Sequence, residues 1–185
     1  FTCMGESLPR VAPQMILLGI APLSRIEIIP KSGSTASNNK PLKPFYIELK
    51  QGETYYYVSN KKDLTGSIIR SKDSLSRFAV FAGDKLSGST LPDSSGVVCR
   101  DGDDYGLEQM IPTVSWGNSY TALPFKALHA GYYLKVVSSQ NNTRIYINGT
   151  YNRTLNEGAF FTHNVTTQLV THVSADKPIS VTQFL

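Results

Sequence analysis

Apolar stretches of four to seven residues recur along this chain, separated by clusters of Gly, Pro, Asn, Asp and Ser. No stretch of ten or more keeps the 3.6-residue period of an amphipathic helix. Each stretch reads instead as a strand. A first set runs Met15–Ala21 (MILLGIA), Arg25–Ile29 (RIEII), Phe45–Leu49 (FYIEL), Thr54–Val58 (TYYYV), Gly66–Arg70 (GSIIR) and Phe78–Ala82 (FAVFA). A second set runs Tyr132–Val137, Arg144–Ile147, Ala159–His163, Gln168–Val173 and Ile179–Phe184. KQGE, SKDS, SQNN, INGT, LNEG and SADKP supply the turns between them. In TYYYV the two-residue period puts Tyr55 and Tyr57 on one face and Tyr56 on the other. Aromatic strands of this kind fill a sandwich core from one side.

The two sets share an order. An Arg-Ile-x-Ile strand comes first, then Leu-x-x-Gly with an aromatic strand after it. An apolar strand, a polar turn with Lys and Asp, and a last aromatic-bearing strand complete each set. This reads as an internal duplication of about seventy residues per unit. Between the sets lies Gly83 to Gly131, and within it LEQMIPTVSWGNSYTALPF, Leu107 to Phe125. That segment holds the only Trp, Trp116, directly before Gly117 and between Pro112 and Pro124. Pro fixes φ, Gly permits close backbone approach, and Trp offers a large apolar surface. Leu107, Glu108, Gln109, Trp116 and Gly117 therefore read as a structural joint. The expected fold is all-β: two tandem sandwich-like antiparallel units joined by a Trp-Gly segment. The first unit spans 1–83, the connecting loop and joint 84–131, and the second unit 132–185. Two propeller-type blades are the structural alternative.

Composition agrees with this pattern. Charged residues make up 17% and hydrophobic ones 41%, with Ser, Thr, Asn, Gly and Tyr filling the difference. This mix favours strands and turns. The net charge of +4 is spread along the chain, which argues against the clustered basic patch of a nucleic-acid surface. The longest apolar run, Met15 to Leu23, falls short of the about twenty residues that span a bilayer. The start shows no charged region leading into an apolar one and begins with Phe, as a processed or partial chain does. The end stops inside a predicted strand, so the chain reads as a fragment of a longer polypeptide with further modules.

Two features point to an oxidising, glycosylating compartment. Cys3 and Cys99 are too few for a disulfide scaffold or a zinc site, but suffice for one bridge. Four N-glycosylation sequons begin at Asn141, Asn148, Asn152 and Asn164, all in the last quarter of the chain. Composition alone can also generate such triplets.

Candidate chemistry is sparse. The nucleophile elbow, His-Glu-x-x-His, P-loop and dinucleotide motifs are absent from the sequence. His163 and His172 fall on successive predicted strands and could meet across them, although surface histidines are far commoner than metal pairs. Asp101, Asp103, Asp104 and Glu108 in RDGDDYGLE alternate with Gly as calcium ligands do, but their spacing fits no EF-hand loop. A solvated acidic turn accounts for them, and no metal is expected.

The segment LEQMIPTVSWGNSYTALPF, then YYLKVVSSQNNTRIYING, LNEGAFF and VSADKPISVTQF, resembles the IgG-Fc-binding protein amino-terminal domain family. The likeness covers Leu107 to Phe184. The family also places one Cys in the loop after the first unit and another just before an Asp-His ahead of Leu-Glu-Gln. Here GDKLSGS lacks the first. VVCRDGDDYGLEQ sets Cys99 upstream, with Tyr105 near the expected His. The family's local loop disulfide is therefore not carried over. Cys99 pairs with Cys3, pairs with a chain outside this fragment, or stays free.

The resemblance implies a secreted or cell-surface protein that is not an enzyme, in mucus or matrix settings. Fc binding belongs to particular members and is not transferred. The expected function is non-catalytic extracellular adhesion, or interaction with matrix or mucus, within a secreted glycoprotein. It needs no cofactor. Its partners are extracellular proteins or glycans, and nucleic acid is excluded. An extracellular hydrolase domain is the alternative.

Overall fold

The structure is a computed structural model that describes residues 13–31, 43–59, 63–87, 104–124, 132–165 and 169–184. The described residues form strands and one 3-10 turn, Thr113–Ser115, with no α-helix among them. The strands are β1 (Pro13–Gly19), β2 (Leu23–Ile29), β3 (Phe45–Lys50), β4 (Thr54–Val58), β5 (Ile68–Ser71), β6 (Phe78–Ser87) and β7 (Asp104–Gln109). They continue with β8 (Gly117–Ala122), β9 (Tyr132–Ser138), β10 (Thr143–Ile147), β11 (Thr150–Leu155), β12 (Phe160–Val165) and β13 (Thr171–Phe184). All pairings are antiparallel. The chain divides into two compact units, the first holding β1–β7 and the second β8–β13.

The first unit is a sandwich. One sheet has the order β4-β1-β6-β7 and the other β3-β2-β5. The apolar run of β1 sits centrally between β4 and β6, buried along most of its length. Met15, Leu17, Val80 and Ala82 from the first sheet meet Ile26, Ile28, Leu49 and Ile69 from the second. Apart from Ala82, each such burial is worth about 1.5–3 kcal/mol. Tyr55 and Tyr57 pack against this core, whereas Tyr56 is exposed and donates to Gln14 Oε1 at 2.7 Å. The core-facing Tyr57 hydroxyl is pushed up to about 12 by burial and by nearby Tyr55.

The second unit is organised around β13. Val173 has Ile147 of β10 on one side and Tyr120 of β8 on the other. Ile179 to Phe184 pair instead with β9, which pairs on its far side with β12. The first half of β13 thus belongs with β10 and β11, and its second half with β9 and β12. Leu134, Val136, Ile145, Leu155, Phe161, Val173 and Ile179 fill the core between the halves.

The two units repeat one plan. The order β3-β2-β5 matches β11-β10-β13 (first half), and β4-β1-β6 matches β12-β9-β13 (second half). The Leu-x-x-Gly signature marks the same corner in both. Leu49 and Leu155 point into the cores. Gly52 and Gly158 take φ of 80° and 71°, which L side chains adopt only at a cost. Gly52 N–H donates to the Gly19 carbonyl at 2.9 Å, and Gly158 N–H to the Ser138 carbonyl at 3.0 Å. An Arg–Asp pair recurs too: Arg25 lies 3.6 Å from Asp73, and Arg144 lies 2.9 Å from Asp176.

The sequence reading and the structure part at two places. SADKP, read as a turn between two strands, instead lies inside β13 as an irregularity. Asp176 accepts from the Arg144 backbone N–H and Nε, and Ser139 N–H and Oγ both donate to the Pro178 carbonyl. The polar residues are held by the neighbouring turn, so the chain bends without reversing. β7, β8 and β11 carry no long apolar run, since each has a single strand neighbour and shows much of its surface to water.

The Trp-Gly segment runs from one unit into the other. Leu107, Glu108 and Gln109 lie in β7 and pair with Gly83, Ala82 and Phe81 of β6. The approach is close, since a Cβ on Gly83 would lie 1.7 Å from the Gly106 carbonyl oxygen. Met110 packs on the first core. After the 3-10 turn, Trp116 is 8% exposed, and Gly117 opens β8. Gly117 N–H donates to Tyr120 Oη at 2.9 Å, and that hydroxyl donates to the Ile179 carbonyl at 2.8 Å. Removal of the buried indole, Trp116→Ala, should lower stability in chemical denaturation by about 3–5 kcal/mol. A loss below about 0.5 kcal/mol, the range of surface substitutions, would deny Trp116 a structural role.

Candidate functional site

Strand alternation gives the three-stranded sheet of the first unit a charged outer face. In β2, Ile26 and Ile28 point into the core, so Arg25 and Glu27 point outward. Register sets Glu27 opposite Tyr46 of β3 and Arg70 of β5, and Arg25 opposite Glu48. Tyr46 Oη donates to Glu27 Oε1 at 2.7 Å, and Arg70 Nε donates to Oε2 at 2.6 Å. Both carboxylate oxygens are engaged, and Glu27 is only 8% exposed. Lys72 Nζ lies 4.4 Å from the centre of the Tyr46 ring. Arg25 Nε donates to Glu48 at 3.0 Å.

These contacts set the charge state of the face. The Arg70 hydrogen bond, then that of Tyr46, hold the Glu27 carboxyl below its ordinary value. Asp73 is lowered by the Ser76 hydroxyl and N–H, and further by Leu75 N–H and Arg25. Exposed ion pairs of this kind add little stability singly. Their effect is to hold Tyr46, Arg25 and Arg70 in defined rotamers, so a partner docking here orders fewer side chains. Tyr and Arg are also the residue types that carry most energy at protein interfaces. The sequence reading missed this face. Its signal was the alternation of charge with isoleucine in RIEII and of Tyr and Glu with apolar residues in FYIEL.

The sequon asparagines all lie in the second unit and all are exposed. Asn141 sits in the β9–β10 turn, where its Oδ1 accepts from Glu157 N–H and its carbonyl from Lys177 Nζ. Asn148 and Gly149 both have positive φ, 49° and 78°, as a type I′ hairpin turn demands. Asn148 Oδ1 accepts from His172 N–H at 2.8 Å. Asn152 lies in β11 and Asn164 in β12.

Other sequence candidates are dispersed or lie beyond description. Cys3, Cys99, Asp101 and Asp103 lie outside the described residues. Asp104 opens β7 and Glu108 is exposed on it. Among the described residues no three His, Cys, Asp or Glu side chains gather as a metal site. His163 and His172 lie on strands that are not neighbours: β12 pairs with β9, while His172 stands opposite Thr121 of β8. His172 Nε2 is 3.4 Å from Ser119 Oγ, and its Nδ1 is 3.4 Å from Thr121 Oγ1.

The family model described as IgGFc binding protein matches residues 9–185. The chain belongs to this family. The match takes in both units, where the resemblance read from the sequence covered Leu107 to Phe184. No curated relative and no solved structure matches the chain. The family is one of extracellular binding domains and not a known enzyme family. No helix among the described residues is long and apolar enough to cross a membrane.

The lowered carboxyls fix the sign of the acid response. A group whose folded pKa is depressed contributes stability above its unfolded value and loses it as pH falls through the folded value. Thermal unfolding should therefore be insensitive to these groups above the ordinary Glu and Asp values of 4.5 and 3.8, and the midpoint should drop below them. Glu27→Gln should lower the midpoint at neutral pH and flatten the acid slope. An acid slope identical to that of the wild type would remove Glu27 from this account.

Proposed function

We propose that this chain is a non-catalytic interaction domain of a secreted glycoprotein, acting in adhesion or in a mucus or matrix network. The observation that carries the reading is the outer face of β3-β2-β5, where Glu27 accepts from both Tyr46 and Arg70 and so orders them on a water-facing surface. Membership of a binding-domain family supports it. A surface of this kind binds through many modest contacts. Its partners are extracellular proteins or glycans, and further modules of the same polypeptide flank it. Leu107, Glu108, Gln109, Trp116 and Gly117 serve as the structural joint within it.

Surface plasmon resonance over a purified gel-forming mucin and over a purified IgG Fc fragment tests the reading. At least one probe should be held, and Tyr46→Ala and Arg70→Ala should each weaken binding about tenfold or more, the scale of an interface hot spot. Unchanged affinity in both variants would move the contact off this face. Turnover of a glycoside or ester substrate would favour the hydrolase instead.

Secretion has its own measurement. The chain released by a eukaryotic secretory host should lose mass on N-glycosidase treatment. With Cys3 and Cys99 bridged, iodoacetamide should add mass only after reduction. An unchanged mass on deglycosylation would count against passage through a glycosylating pathway.

A further inference from the structure

Two of the four sequons lie within strands, and those two strands end the sheet of the second unit. The strand order is β11-β10-β13-β9-β12, with Asn152 in β11 and Asn164 in β12. β11 pairs only with β10, and β12 only with β9, among the described residues. Their outer backbone N–H and C=O groups form templates onto which another strand can add. Five of the six residues of β11 are exposed.

The two edges share one side of the sandwich. On the opposite side β13 runs continuously through both halves, with β8 paired along it as the outer strand. On the open side Arg153 of β11 reaches across, its guanidinium carbon 4.1 Å from the Phe161 ring centre of β12. Arg153 also helps lower the His163 pKa, after burial. His163 is therefore held toward its neutral form, so β12 (FFTHNV) presents no charge at neutral pH. The one cation of β11 is turned toward Phe161. Edge strands of native proteins are commonly guarded by exposed charge, and β12 lacks that guard.

The register adds a further sign. Arg153 stands opposite Ile145 and Tyr151 opposite Tyr146, so Asn152 between them has no partner on β10. It is the extra residue of a β-bulge, which leaves it without a cross-strand neighbour on β10 for a sugar to meet. Asn152 Oδ1 accepts from Arg153 Nε at 2.8 Å, and Nδ2 is the atom that takes a sugar.

We propose that N-linked glycans on Asn152 and Asn164 cap the open side of the second unit and block strand addition there. The proposal rests on the secretory reading above. In the modification, Asn Nδ2 loses one proton and bonds to the anomeric carbon of an oligosaccharide carried on a polyprenyl diphosphate. The anomeric C–O bond breaks, and the diphosphate leaves with its electron pair. An added strand would lie about 4.7–4.9 Å from the edge, with its side chains in the row beside Asn152 or Asn164. A branched, hydrated sugar occupies that space. Asn141 and Asn148 lie in turns and guard no edge.

The test compares sequon variants of the intact chain made by a eukaryotic secretory host. One variant is Asn152→Gln with Asn164→Gln. A second removes the same sequons through Thr154→Ala with Thr166→Ala. The control is Thr150→Ala, which removes the Asn148 sequon at an exposed side chain. Glycopeptide mass spectrometry reads occupancy, and sedimentation velocity over a concentration series reads self-association. Both edge asparagines should be occupied. Both edge variants should associate at concentrations about tenfold or more below the wild type, and the control should sediment unchanged. Enzymatic trimming of folded wild-type protein gives the same readout without a substitution. Sugar on Asn141 or Asn148 but not on the edge asparagines would overturn the proposal and leave the secretory reading intact. So would full edge occupancy with edge variants and trimmed protein that sediment like the wild type. Absence of sugar from all four sites would overturn both.

Discussion

A sandwich without helices depends on its corners. Each unit must carry the chain from one sheet to the other while leaving no backbone group unpaired, because a buried orphan amide or carbonyl is costly. The Leu-x-x-Gly corner meets this constraint in both units. The leucine anchors in the core, and the glycine takes a left-handed conformation that returns its N–H to the end of the opposite sheet's central strand. Gly52 bonds back to Gly19, and Gly158 to Ser138. From that corner follow the shared strand order and the facing of β2 and β10 inward through Ile26 and Ile145.

The corner also explains which motif residues are structural. LNEG, SSQNNT and SADKP, which carry much of the likeness to the IgG-Fc-binding family, form one polar knot in the second unit. Asn141 and Asn156 side chains bond to backbone N–H groups across the turn, Ser138 and Thr143 hydroxyls bond to each other in the core margin, and Asp176 holds Arg144. These residues hold the bend of β13. A family signature can thus report the fold and leave the binding chemistry to other positions.

Those other positions lie where the sandwich meets water. The first unit presents a face of interlocked Arg, Glu, Tyr and Lys. The second presents the sequons, two in turns and two on strand edges. On the reading proposed above, charge and sugar are different answers to one requirement, since an all-β surface must be reachable by partners and closed to stray strands.

Period and turn chemistry in the sequence already determined the all-β class, most strands of both sets and the repeat, because side-chain alternation and glycine conformations are local properties. TYYYV was read with its observed bounds, Thr54–Val58. The repeat read from RIEII and RIYIN reappears as equivalent strand order and as matching Arg–Asp pairs. Only the tertiary structure decided the rest. β7 and β8 are polar edge strands whose partners, β6 and β13, lie far along the chain, so no local pattern announced them, and β11 returns on β10 through the Asn148-Gly149 turn without an apolar run to mark it. SADKP has turn composition, yet Arg144 and Ser139, more than thirty residues away, keep it within one strand. Glu27 reads as an ordinary charged position until register places Tyr46 and Arg70 on either side of it, since cross-strand proximity is fixed by pairing and not by distance along the sequence.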